Sequence, residues 1–260
     1  MVVHSADHTR IYWRELGVGR TLLCVHGALS RGDDWLPVAR LLARRFHVVL
    51  MDRRNHGRSQ ARRPARIEDE AADVAAVIDR VGDGCFLLGH ASGGVVALEA
   101  ARQFGARIDR LVLYEPPVTL VAPEWQASIR HYHDLVSRGR LAAAVRHFAL
   151  EIEGRPVDQV ESLLMPPGVS IDDMVGSITP QLLALDPVEL DPHRWTGLRT
   201  PVLLLAGGSS AERPTRESIR VLAGLFPSAR VVELRGQHHA ANLTAPALVA
   251  NALRDYLATG

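Results

Sequence analysis

Cys85-Phe86-Leu87-Leu88-Gly89-His90-Ala91-Ser92-Gly93-Gly94 runs directly into Val95-Val96-Ala97-Leu98-Glu99-Ala100-Ala101. A short apolar run, a glycine-rich corner and a second apolar stretch read as strand, tight turn and helix. Gly89 and Gly93 bracket position 91 at the spacing Gly-x-nucleophile-x-Gly, in which a sharp turn projects one side chain. The side chain projected here is the methyl of Ala91, which has no oxygen or sulfur to attack with. Shifting the register to make Ser92 the projected hydroxyl would put His90 where the leading glycine belongs.

Apolar runs of the same kind recur on both sides of this corner. Thr21–Val25, His47–Met51, Leu111–Tyr114, Val202–Ala206 and Arg230–Leu234 join Cys85–Leu88 as expected strands. Their near-continuous apolarity suits strands covered on both faces, as in a parallel sheet. Between them, Ile67, Ala71, Val74, Val77, Ile78 and Val81 recur at helical spacing, as do Trp35, Val38, Leu41 and Leu42. Leu248, Leu253 and Leu257 mark a last helix. The alternation predicts an α/β fold with a mostly parallel sheet flanked by helices, whose chemistry lies beyond the carboxyl ends of the strands.

Residues 117–197 break the rhythm. Helices are expected around Glu124–Ser137, Arg140–Glu151, Val157–Leu164 and Ile171–Leu185, punctuated by prolines 156, 166, 167, 180, 187 and 192. This divides the chain into a core (1–116 and 198–260) and a helical cap insertion (117–197) over the mouth of the site.

Bulk properties exclude several classes. Lys+Arg 30 against Asp+Glu 29 leaves a net charge of +1, so neither nucleic acid nor an anionic membrane is an expected partner. The pairs Arg44-Arg45, Arg53-Arg54 and Arg62-Arg63 read as solvated surface. The two cysteines, Cys24 and Cys85, fall in strand-like runs and read as buried free thiols. No secretion signal is visible and no apolar run reaches the ~20 residues of a membrane helix, so a cytoplasmic location is expected. No metal and no cofactor is expected. His131 and His133 are two apart on a helix and cannot face one ion, and His4 and His8 read as exposed. Oligomeric state is not legible.

Further motifs stand in order along the chain. His26-Gly27 follows the first core strand, and Asp52-Arg53-Arg54-Asn55-His56-Gly57-Arg58-Ser59 follows the second. The corner at 89–93 comes next, then Gly236-Gln237-His238-His239. In this order and spacing the chain resembles the α/β-hydrolase family over nearly its whole length. The Asp52–Ser59 stretch is similar to that family's Asp-x-x-Gly-x-Gly-x-Ser turn, with Asn55 in place of the first glycine. The stretch at 236–239 is similar to its Gly-x-Gly-His turn.

The resemblance implies site residues. Position 91 is the nucleophile's place, and His239, rather than His238, is the base. The acid is usually expected after the strand Val202–Ala206, but that loop reads Gly207-Gly208-Ser209-Ser210-Ala211-Glu212, with serine at the expected aspartate. Glu115, ending the strand before the insertion, is the expected acid, as in some lineages of the fold, and Glu212 is the alternative. The amides of Ala28 and Ser92 are the expected oxyanion donors. His26, Gly27, Trp35 and His90 are placed along the substrate pocket, with core packing the alternative for Trp35.

Two functions are compatible with this set. The first is a hydrolase of ester, lactone or thioester bonds by Ser-His-Glu acyl transfer, here in an inactive form with alanine at position 91, taking an apolar acyl or lactone compound. The second is a protein that natively lacks the nucleophile and binds a small molecule, or uses His239 as base for cyclisation, elimination or isomerisation.

Overall fold

The computed structural model describes residues 1–59, 66–118, 123–152, 170–184, 191–210 and 214–258. These residues build one eight-stranded sheet from β1 (Val2–His4), β2 (Arg10–Leu16), β3 (Arg20–Val25), β4 (Phe46–Met51), β5 (Cys85–His90), β6 (Ile108–Tyr114), β7 (Val202–Gly207) and β8 (Arg230–Leu234). Their spatial order is β1-β2-β4-β3-β5-β6-β7-β8. From β4 to β8 every neighbouring pair is parallel, while β1 and β2 form an antiparallel edge. The six apolar runs are all strands. The antiparallel pair lacks that signal because β2 buries only Ile11 and Trp13 in alternation.

Strand periodicity sorts the apolar residues onto two faces. Leu23, Val25, Leu87, Leu111, Leu113 and Leu204 pack against α2 (Ile67–Val81), α3 (Ser92–Phe104) and α7 (Pro214–Leu225). Leu22, Cys24, Phe86, Leu88, Val112, Leu203 and Leu205 face α1 (Leu36–Leu42), Ala241 of the short α8 (Ala241–Thr244) and α9 (Pro246–Leu257). Leu41 and Leu248, read as part of apolar faces, are exposed.

Between β6 and β7 the chain forms α4 (Pro123–Ser137), α5 (Leu141–His147), which widens into a π-turn at Phe148–Ile152, and α6 (Ile171–Ala184). Ile129, Tyr132, Leu135, Val145, Phe148, Met174, Ile178 and Leu182 make a separate apolar cluster there, joined by Ala28 from the turn after β3. The helix expected over Val157–Leu164, and Leu185, lie outside the described residues.

Of the arginine pairs, Arg44-Arg45 is exposed and Arg62-Arg63 lies outside the described residues. Arg53 and Arg54 correct the surface reading: both are buried. Each finds a buried carboxylate, without which a desolvated guanidinium would be prohibitive. Arg54 grips Asp73 with two hydrogen bonds of 2.6 and 2.7 Å, and Arg53 grips Glu70 with two of 2.7 and 2.8 Å.

Candidate active site

The register of the parallel strands assembles the site. Val25 of β3 lies opposite Gly89 of β5, His90 opposite Tyr114 of β6, and Tyr114 opposite Leu205 of β7. The residues that follow these strands (His26-Gly27, Ala91, Glu115 and the loop after Gly207) therefore leave one edge of the sheet side by side.

Ala91 has φ 51° and ψ −129°, a conformation that costs an alanine on the order of 1–3 kcal/mol. Close packing enforces it. A Cβ on Gly93 would lie 2.3 Å from the His26 carbonyl oxygen, and one on Gly89 would lie 2.5 Å from that of Gly93. A Cβ on Gly27 would lie 2.8 Å from the Ala91 methyl, so the turn after β3 rests directly on position 91. Ala91 N–H donates to the Tyr114 carbonyl at 2.9 Å, tying the corner to β6.

Glu115 also has positive φ, 45°, and is buried. Its Oε1 accepts from the Gly207 amide at 2.7 Å, and its Oε2 meets His239 Nδ1 at 2.7 Å. Burial alone would raise its pKa. The His239 hydrogen bond and charge, followed by the Gly207 amide, outweigh this and hold the carboxyl below its ordinary value. An ionised carboxylate only accepts, so His239 Nδ1 is the donor in this bond. The end of β7 supplies a main-chain donor to Glu115, from Gly207. Glu212 lies outside the described residues.

The loop that carries His239 is clamped from the sheet. His90 Nε2 donates to the His239 carbonyl at 2.9 Å, and its ring stacks on Tyr114 at 4.8 Å between centroids. The Tyr114 hydroxyl donates to the His238 carbonyl at 2.5 Å and accepts from the Ala241 amide at 3.2 Å. His238 thus contributes main chain to this clamp, and only His239 of the two reaches Glu115. Tyr114 was missed in the sequence. Its signal was a hydroxyl inside a core strand next to Glu115, which must find a partner when buried.

Three residues expected along a pocket make other contacts. His90 is the buried clamp just described. Trp35 is buried in the core on the α1 and α9 face, its ring edge-on to His90 at 5.6 Å. His26 is fully buried; Nδ1 meets the Gly27 carbonyl at 2.7 Å, and Nε2 accepts the Arg53 amide at 3.0 Å. Burial, His56 and Arg53 push the His26 pKa far down, which keeps it neutral and able to accept. Gly27 faces the Ala91 methyl from the turn after β3.

The turn after β4 is a brace for these loops. Asp52 accepts the amides of Gly32 at 2.8 Å and Arg58 at 2.9 Å, and Ser59 donates to the Asp52 carbonyl at 2.7 Å. A Cβ on Gly57 would lie 2.3 Å from Asp52 Oδ2. Asn55, in the first glycine's place, holds φ 64°, which asparagine tolerates better than most residues. Among the described residues no group of three or more His, Cys, Asp or Glu is placed to hold a metal ion. Nor does any described helix have the length and apolarity to cross a membrane.

Comparison with known proteins agrees with this architecture. Residues 22–252 match the model of the alpha/beta hydrolase family. The crystal structure of an alpha/beta hydrolase from Sphaerobacter thermophilus DSM 20745 is 31% identical, with a TM-score of 0.81 over 99% of this chain and 100% of that one. A protein of Pseudomonas syringae pv. syringae (strain B728a), provisionally named carbamate hydrolase RutD, is 29% identical across 92% of this chain and 94% of its own length. A non-heme haloperoxidase of Rhodococcus erythropolis is 36% identical over 115 residues, 43% of this chain and only 42% of that protein. A strained corner at the end of β5, a buried Glu-His pair at the ends of β6 and β8, and a family match spanning most of the sequence lead to one conclusion: the chain belongs to the alpha/beta hydrolase family.

Proposed function

We propose that this scaffold is built for acyl transfer to water from an ester, lactone or thioester, and that with Ala91 in the nucleophile's place the chain binds its substrate or product without turning it over. The observation that carries this reading is the strained backbone at Ala91. Nothing in an alanine calls for φ 51°, and the turn keeps the geometry that projects a reactive side chain. The Glu115–His239 hydrogen bond at 2.7 Å supports it as the remainder of a triad. In this reading a serine at 91 attacks, His239 Nε2 takes its proton and returns it to the leaving group, and Glu115 holds the imidazolium. The amides of Ala28 and Ser92 receive the oxyanion. Residues 117–197 act as a cap, whose apolar cluster includes Ala28 and suits an apolar acyl group. The provisional carbamate hydrolase relative supports hydrolysis of an acyl bond.

The test is Ala91→Ser assayed on p-nitrophenyl esters of graded chain length, with lactone and thioester panels. Hydrolysis should rise by about 10⁴-fold or more, since loss of a triad nucleophile costs about 10⁶ in kcat. His239→Ala should abolish the gain, and Glu115→Gln should cut it by about 10⁴-fold. No gain on any panel would overturn the reading in favour of a native, nucleophile-free role for His239 as base.

A further inference from the structure

Resting on the acyl-transfer reading, we propose that Arg53, held by Glu70, is a positioning residue that fixes the spacing of the two oxyanion amides. One nitrogen of its guanidinium spans the two loops that carry them. Nη1 donates to Ser92 Oγ at 2.8 Å, on the elbow, and to the His26 carbonyl at 3.3 Å, two residues before Ala28. Its main-chain amide donates to His26 Nε2, so the same residue grips that turn twice. The opposite side of the guanidinium is locked by the two bonds to Glu70, on the first turn of α2.

A buried ion pair is a poor source of stability, because apolar residues of similar volume generally do as well. Acyl transfer by main-chain donors has no direct use for this cation either. What the guanidinium supplies is geometry: a planar fork with fixed directions, fastened on one side and aimed at two separate backbones on the other. The loops must be held, because the elbow and the turn after β3 approach with no slack. At Gly93 a single added carbon would meet the His26 carbonyl oxygen at 2.3 Å. A small drift of either loop would therefore move one amide relative to the other.

The double replacement Arg53→Met/Glu70→Met separates positioning from stability, because no charge is left buried alone. Arg53→Lys is the companion that keeps charge but loses the fork. In the chain as it stands, hydrogen exchange should accelerate about tenfold in peptides spanning 24–31 and 89–95 in both variants, with α9 unchanged. In the Ala91→Ser background, kcat should fall about 100-fold, as for loss of one oxyanion donor, with KM nearly constant. Unchanged exchange in those two segments, or acceleration of equal size throughout the molecule, would overturn the proposal, as would full kcat in the double variant. If Ala91→Ser proves inactive with Arg53 intact, the acyl-transfer reading fails, while the exchange measurement still decides whether Arg53 holds the two loops.

Discussion

The pair of strained residues, Ala91 at φ 51° and Glu115 at φ 45°, sets the character of this site. Both directly follow central strands, and both are held by main-chain bonds to the neighbouring strand: Ala91 N–H to Tyr114, Glu115 N–H to Leu205. The strain at 91 has a measurable consequence. Replacing a buried alanine by glycine loses a methyl contact and raises chain entropy, a cost of about 1–2 kcal/mol at an unstrained position. Relief of the left-handed strain offsets this, so Ala91→Gly should change stability by less than about 0.5 kcal/mol. Denaturant unfolding reads it directly, and a loss above about 1.5 kcal/mol would show that the corner is unstrained. That Ala91 occupies the projected position was legible from Gly89 and Gly93, because turn chemistry is local. That His90 clamps the loop of His239 was not, since the two lie far apart in sequence, and for Trp35 the structure decided for the core, the alternative that the sequence left open.

At the level of elements, glycine positions show where the backbones are pressed together. Gly93, in the first turn of α3, faces the His26 and Val25 carbonyl oxygens at 2.3 and 2.5 Å from a would-be Cβ. Neither backbone can give without breaking the β3–β5 pairing, so Gly93→Ala should destabilise by about 3 kcal/mol. Gly224, exposed within α7, has nothing within 4 Å of the same added carbon. Gly224→Ala should instead stabilise by about 0.5–1 kcal/mol, from helix propensity alone. Thermal melts of the two variants check both signs. The core strands were readable from their continuous apolarity, and α2 and α9 from their helical spacing, whereas α7 was not read. The antiparallel pair β1 and β2 was not, because a half-exposed edge strand leaves only a brief alternation.

Across the whole molecule, the buried histidines beneath the site set how stability responds to acid. Burial first, then Arg53, lowers His56 from 6.5 to about 4, against smaller opposing effects from its bond to Arg54 and from Glu70; burial also pushes His26, in the same cluster, well below its ordinary value. Both are neutral in the fold and protonated in the unfolded chain below 6.5. Stability is therefore fully present above that pH and falls as pH drops from 6.5 through 4, by on the order of 3 kcal/mol for His56. Asp52 and Asp73, raised by burial, take up protons earlier in the fold and offset part of the fall at its acid end. Denaturant midpoints measured from pH 8 to 4 should show this slope, and His56→Gln should flatten it; a level profile between 6.5 and 4.5 would contradict it. By itself the sequence determined the α/β class, the corner at 89–93 and the order of the motifs, because each rests on residues close together in the chain. Tertiary structure showed that Glu115, the acid expected from the resemblance, meets His239, and it alone decided that Arg53 and Arg54 are interior and that Tyr114 and His90 hold the loop of His239. Those outcomes depend on strand register and on burial, which bring together residues as far apart as His90 and His239 and which no local pattern encodes.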